Sequence, residues 1–536
     1  MDLNPLTSET DAWEKPDVIV IGAGHNGLVA ACYLARAGFR VEVVEASASI
    51  GGCTKTECLI PQAPEHYINV GAVDFLWIRA SNVISDLGLR RYGYEERVVD
   101  PAFAYLHRDG SSIAVWKDPV KTADELRRFS RADADAYLQL ARSQDVLFNL
   151  LMPFLTSNPT RPPLSAILAV VGGAVAHARQ LAPFSRLPRL SAVDIIDDTF
   201  RHPMARDLVA GMAAIAAPVT SRGSGLALLF GGMVHRLGMG RPVGGSQALP
   251  DALQRCLTEH GGRVRTSAEV DEVLVSGQRV HGVRLADGTV IDGQTVLASC
   301  DPKTTLTRLV SSDALPQRLA RRARRIPTGN MGTAHVKVDL ALSDQLRLPR
   351  HGANRTDGLD LRVPSTFTGS MEELVGAIDQ ARSGRIPDPL PLWCIVPTAI
   401  DPSQAPAGQD TLYLWSGWMP SDPPEGWQSR GRTAADAVVS SASDYFADLD
   451  TIEIGRHVKT PYELERDLRL PDGQPWHVDF TRSALGPLRP ARGFGGYRTP
   501  IRGLFLTGAG THPSPGVAAI PGQLAAREVV RTLSSR

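Results

Sequence analysis

Apolar residues form short unbroken runs near both ends of this chain and alternate with polar ones through much of its middle. Val18 to Ile21 is one such run, followed by glycines at 22, 24 and 27. Leu28 to Ala37 then has helical spacing, Gly38 breaks it, and a second apolar strand leads to Glu45. Toward the other end, an apolar strand from Gly503 to Thr507 meets Gly508 and Gly510, and a helix start falls near Pro521 and Gly522. Between these, Ala102 to Trp116 alternates around Asp109-Gly110 and predicts a hairpin. Helical and irregular sequence fills Asp118 to Gly240, with proline-rich connectors near Pro159 to Pro163 and Pro183 to Pro188. A helix is predicted from Gln247 to His260. Beta segments follow at Val264–Arg265 with Val270 to Val275, at Val280 to Leu285, and at Thr295 to Ser299. Further strands are predicted over Ala334 to Leu340, Leu392 to Val396 and Thr411 to Trp418, before a helix from Thr433 to Leu449.

The first of these patterns carries chemistry. A strand, G-x-G-x-x-G, a helix, a second strand and an acid 23 positions after Gly22 make a dinucleotide-binding fingerprint. Gly22 permits the tight turn, Gly24 lets the backbone approach a pyrophosphate, and Gly27 lets helix and strand pack closely. The helix start offers free N–H groups and the positive end of its dipole to phosphates. Glu45 stands at the spacing of a carboxylate on a ribose hydroxyl. The second glycine loop lies some 480 residues later, which fits one cofactor domain assembled from distant segments.

Composition narrows the partners. The 536 residues are 43% hydrophobic and 21% charged, and Lys+Arg and Asp+Glu both number 57. With no net charge, nothing points to nucleic acid. The arginines at 318, 321, 322, 324 and 325 read as a solvated helix face ending at Pro327. Residues 1–16 are polar, with no signal-peptide core, and no uncharged apolar run is long enough to cross a bilayer. Together with scattered cysteines this predicts a cytoplasmic protein. Leu164 to Ala178 comes nearest to a span; it reads as a buried helix, the alternative being a surface that dips into a bilayer or frames an apolar tunnel. Cys53 and Cys58 imitate a redox pair, but Thr54 to Ile60 reads as a strand. Cysteines five apart on a strand sit ~16 Å apart, beyond disulfide reach. The glycines at 223, 225, 231 and 232 lack the preceding strand of a second nucleotide site.

Taken with the motif IGAGHNGLVAACYLARAG (21–38), the doublet Gly51-Gly52, Arg241-Pro242-Val243-Gly244-Gly245, Ile400-Asp401-Pro402 and LTGAGTHP with its later Pro521-Gly522, the chain resembles the phytoene-desaturase-like flavoproteins of the amine-oxidase superfamily. Within that group it is most similar to the flavin-type carotene ketolases and the pyridine-nucleotide-disulfide oxidoreductase-domain proteins. The resemblance implies non-covalent FAD. Gly22, Ala23, Gly24, Asn26 and Gly27 would serve the pyrophosphate, Glu45 the ribose, and Val270 the adenine. Gly51 and Gly52 would line the cofactor channel, Gly508 and Gly510 would lie near the flavin, and Gly522 would face the isoalloxazine edge. It also implies an α/β fold: a two-part Rossmann-like FAD-binding domain (17–95, 237–310 and 490–536) with an interleaved α+β substrate domain (96–236 and 311–489), after a polar tail (1–16). The chain departs from the pattern at Cys53, where relatives usually have arginine, at Ser514-Pro515-Gly516, and at Thr481-Arg482-Ser483.

The expected activity is FAD-dependent oxidation of an extended apolar molecule such as a carotenoid or other isoprenoid, with oxygen or a quinone as acceptor. Trp77, Trp393, Trp415, Trp418 and Trp427 are candidates for lining such a tunnel. A peripheral membrane contact would accompany it. Alternatives are another small molecule on the same fold, or a flavin-binding regulatory protein with little turnover. His512 and His477 are the candidate bases, with a structural role as the alternative for each. No metal site is expected, since no Cys/His cluster has zinc-like spacing.

Overall fold

The computed structural model describes residues 15–513 and 516–534; most of the N-terminal tail, together with Ser514 and Pro515, lies outside them. The cofactor half is built on a five-stranded parallel sheet. Its strands are β1 (Val18–Ile21), β2 (Val41–Val44), β3 (Arg263–Arg265), β4 (Val296–Ala298) and β5 (Leu504–Leu506), in the spatial order β5-β4-β1-β2-β3. The unbroken apolar runs follow from burial on both faces. Val18 and Val20 face α1 (His25–Arg36), α2 (Ala248–Glu259) and α3 (Ile520–Leu533), among Leu28, Leu253 and Leu524. Ile19 and Ile21 face the opposite way, onto a three-stranded antiparallel meander formed by Val270–Ser276, Arg279–Leu285 and Val290–Asp292.

The other half is a seven-stranded sheet. Its long strands Thr333–Leu342 and Asp410–Pro420 pair antiparallel, with Glu453–Lys459 outside one and Trp393–Ile395 beside the other. Ser365–Thr368 and the predicted hairpin, Phe103–Leu106 with Ser112–Val115, complete it. One face packs on helices, with Val336, Val338, Leu340, Leu412 and Leu414 against Val438, Ala442 and Ile378. The other carries His335, Lys337, Asp339, Tyr413 and Trp415, all buried. Lys337 is wholly enclosed, paired with Asp339 and set 4.3 Å from the centre of the Tyr413 ring.

Three local expectations need correction. Leu164–Ala176 is a helix, but not a buried one: Leu164, Leu168, Val171 and Val175 are 58–76% exposed. Apolar composition fixed the helix without supplying a partner for its outer face. Thr54 to Ile60 is not a full strand: a single 3-10 turn (Gly52–Thr54) precedes a two-residue strand, Thr56–Glu57, paired with Ile68–Asn69. The helix placed at 433–449 runs instead over Trp427–Ser443, starting after Gly426 at φ +73°. The connector near Pro183 contains a 3-10 turn, Ala182–Arg186.

α1 and α3 pack backbone to backbone, and a Cβ on Gly522 would stand 2.3 Å from the Asn26 carbonyl oxygen. Gly522→Ala is therefore expected to cost ~1–3 kcal/mol through overpacking, read as a lowered urea midpoint with an unchanged slope.

Candidate active site

In an open parallel sheet the crevice lies beyond the carboxyl ends of the strands, near the point where strand order reverses. Here β1, β4 and β5 deliver Gly22, Ser299 and Gly508 to one rim, and a single cavity runs past all three. Its wall brings together Gly22, Gly24, Asn26, Glu45, Gly51, Gly52, Val270, His477 and Gly508, drawn from five separated stretches of sequence. Ala23, Gly27, Gly510, Gly522 and His512 lie behind it.

The three glycines of the first loop do different work. Gly22 sits at φ +94°, a backbone region that side chains disfavour. A Cβ on Gly24 would meet nothing within 4 Å, whereas one on Gly27 would lie 2.1 Å from the Gly22 carbonyl. Gly24 thus faces open space, and Gly27 closes helix onto strand. The start of α1 has no side-chain cap and no acid in its first turn, so its N–H groups are left to an incoming anion. Glu45 accepts from the Ala23 N–H (2.7 Å) and the Ser47 N–H (2.8 Å), which fixes its carboxylate at the cavity wall with further lone pairs in hand. The glycine doublet is tied to the same loop, its Gly51 N–H donating to the Ala23 carbonyl.

The second loop is held differently. Gly508 is at φ +92°, and a Cβ on Gly510 would stand 2.4 Å from Pro302 Cδ. Gly522 donates its N–H to Asn26 Oδ1 and packs on α1, out of reach of the cavity. Arg489, fully buried, donates to the carbonyls of Trp476, Val478, Asp479, Ala484 and Ala509 and so clamps the His477 segment to this loop. Burial with only carbonyl acceptors lowers its pKa to about 10, so it stays cationic at neutral pH.

Of the candidate bases, His477 lines the cavity beside Gly508. His512 is buried behind the wall, its Nε2 3.3 Å from the Phe154 carbonyl. Burial depresses both to about 4, so neither carries charge near neutrality. The two thiols on the cavity wall are poor nucleophiles: burial pushes Cys53 up to about 11 and Cys300 up to about 12. Cys58 is exposed and all six cysteines are free. Among the described residues no cluster of His, Cys, Asp and Glu could hold a metal.

Sequence reasoning missed several wall residues. Ser299, Cys300 and Asp301 follow β4, but nothing in the sequence places that strand next to β1. Glu269, whose carboxylate is held down by Arg469 at 2.9 Å, needs two segments 200 residues apart. His25 and Trp476 also line the cavity.

A deep crevice at the ends of β1 and β4, an uncapped helix start, a ribose-spaced carboxylate and a side-chain-free loop define a dinucleotide-binding oxidoreductase scaffold, and these residues fit FAD. The comparisons agree. The model of the family "Flavin containing amine oxidoreductase" matches residues 27–374, and the chain belongs to that family. It is an FAD-dependent oxidoreductase. It is 29% identical over 567 residues to pyridine nucleotide-disulfide oxidoreductase domain-containing protein 2 of Rattus norvegicus, covering 97% of this chain and 94% of that one. It is 26% identical over 548 residues to one of the polypeptides of the limonene dehydrogenase of Castellaniella defragrans (96% and 95% covered). The zeta-carotene-forming phytoene desaturase of Myxococcus xanthus is likewise 26% identical, over 518 residues (94% and 91%). In fold it resembles an oxidoreductase from Methanosarcina mazei (TM-score 0.59, 15% identity, 96% and 99% covered). Cyclohexylamine oxidase from Brevibacterium oxydans gives a TM-score of 0.58 at 15% identity (97% and 100% covered).

Two predictions follow from this geometry. Gly24→Val is expected to leave the apoprotein's melting temperature unchanged while abolishing FAD retention; Gly27→Ala is expected to lower it, by overpacking against Gly22. Absorbance and thermal melts separate the two. The second concerns pH. His25, His477, His512 and His335 have folded pKa values of about 4, 4, 4 and 3, below their ordinary 6.5. The unfolded chain therefore binds protons that the folded one refuses, and stability falls as pH drops from 6.5 toward 4. Burial raises Asp301 to about 6 from 3.8, which opposes this between those values with one proton against four. Urea titrations at pH 7, 6 and 5 should show a net loss on the order of 1–3 kcal/mol per pH unit.

Proposed function

We propose that the protein oxidises an extended apolar molecule of the isoprenoid class, which it takes from a membrane surface. The observation that carries this reading is the change in the cavity wall beyond the glycine loops. There it is lined by Trp77, Phe103, Ile215, Phe230, Met239 and Trp393, a passage with aromatic and aliphatic sides. FAD held along the two glycine loops and Glu45 would supply the hydride acceptor for a C–H bond, with oxygen or a quinone as the final acceptor. This chain's residues bind the substrate, exclude water and fix its position. Asp74, the carboxylate on this stretch of wall, is neutralised by Arg241 at 2.8 Å. His477, neutral and on the wall, is the residue placed to take a proton if one must leave. The names of two relatives, a limonene dehydrogenase polypeptide and a phytoene desaturase, record isoprenoid substrates and support the same class.

The exposed Leu164–Ala176 helix supplies the second half of the reading. From 146 to 193 the chain has no acidic residue and four arginines; Arg161 and Arg186 pair with Glu528 and Asp198 from outside the stretch, and Arg179 and Arg189 follow the helix in sequence. An apolar helix followed by cations suits the interface of an anionic bilayer. Among the described residues no single helix is long and apolar enough to cross one.

Anaerobic addition of carotenoids and smaller isoprenoids in detergent should bleach the flavin, with product two hydrogens lighter; a silent flavin across the panel counts against this substrate class. The FAD-loaded protein should float with vesicles containing phosphatidylglycerol and less with pure phosphatidylcholine. Leu168→Asp should weaken that binding about tenfold or more, at unchanged flavin content.

A further inference from the structure

The passage does not end at the flavin-side cavity. Ile215, Trp393, Trp415 and Trp476 are shared with a smaller inner pocket of about 40 Å³, whose remaining wall includes Ala210, Gly211, Phe367, Leu392, Gly417 and His335. Its volume suits the end group of a molecule, not its body.

Two N–H groups in this apolar wall have no partner. Trp415 Nε1 lies 3.0 Å from His335 Nδ1. An indole nitrogen can only donate, so Nδ1 accepts and the ring proton sits on Nε2. His335 Nε2, buried and without a partner, is therefore a donor. Trp393 Nε1 is the second, also shielded and unpartnered. Trp393 pairs in register with Trp415, and Gly417 leaves room for the imidazole, since a Cβ there would stand 3.2 Å from its ring. Unpaired buried donors cost free energy that a ligand acceptor would recover.

The rest of the pocket narrows the acceptor. No lysine or arginine lines it, and burial holds His335 neutral, with its pKa down to about 3, so an anionic end would find no countercharge. The one carboxylate, Asp207, is already engaged by the Met371 N–H (2.8 Å) and the Tyr105 hydroxyl (3.0 Å), which leaves less of it for an ammonium.

We propose that the inner pocket receives an oxygenated end of the substrate, an uncharged carbonyl or hydroxyl oxygen accepting from His335 Nε2–H and Trp393 Nε1–H. This rests on the apolar-substrate reading and sharpens it: the molecule is an isoprenoid ketone, aldehyde or alcohol bound with its oxygen remote from the reacting carbon.

The test uses the FAD-loaded full chain and equilibrium dialysis against β-ionone, β-ionol, the hydrocarbon lacking their oxygen, and the corresponding primary amine. The ketone or the alcohol should bind about tenfold tighter than the hydrocarbon, and the tighter of the two identifies the acceptor. Trp393→Phe and His335→Phe should each bring the ratio toward one with FAD content unchanged; if His335→Phe does not fold, Trp393→Phe decides alone. Equal binding of ketone, alcohol and hydrocarbon by the wild type, a ratio that survives both substitutions, or tighter binding of the amine would overturn the proposal. Flavin bleaching is recorded separately. A hydrocarbon that bleaches without any oxygen preference leaves the substrate class standing and sinks the pocket assignment. An oxygen preference without bleaching by any isoprenoid does the reverse.

Discussion

Everything in the cofactor half depends on backbone meeting backbone without side chains between. The Gly22 carbonyl sits where a Gly27 side chain would begin, and the Asn26 carbonyl where one on Gly522 would begin. These two approaches set α1 against β1 and α3 against α1, and so fix the direction in which the uncapped start of α1 opens. Gly24, between them, is the position whose missing side chain leaves space in place of a contact. The site is shaped as much by atoms that are absent as by those present.

Away from that loop, polarity is held in place by closed pairings. Arg241 meets Asp74, Lys337 meets Asp339 and Tyr413, and the Arg489 terminal nitrogens meet five carbonyls. Each burial would be costly for an unpaired charge, and each is compensated locally. The passage between the sheets is thereby left with an apolar lining although charged residues lie close behind it. His335 Nε2 and Trp393 Nε1, in the inner pocket, have no such partner.

The local half of this architecture is legible in the sequence. Glycines at fixed spacing after an apolar run name their own turn, and the alternation of residues 103–106 and 112–115 names its hairpin. What is not legible is non-local. That Trp415 would donate to His335, 80 positions away, depends on the register of two long strands, which no spacing reveals. The arrival of Ser299 beside Gly22 depends on β4 choosing β1 as neighbour. The helix at 164–176 shows a different limit: hydropathy says that a segment avoids water, not what it will touch instead. Gly510 and Gly522 show a third, since a glycine needed for close packing looks in sequence like one that faces a ligand.

The order of strands in the parallel sheet has a consequence for synthesis. β5 flanks β4 at one edge, and α3 packs on α1, yet both are made some 480 residues after β1. A nascent chain carries its first glycine loop, Glu45 and the whole seven-stranded sheet long before the strand and helix that complete the crevice exist. Until they emerge, one edge of β4 and one face of α1 stay uncovered, an apolar surface that a holding chaperone would have to shield. Completing the rim of the crevice therefore waits on β5 and α3, which close over elements made far earlier.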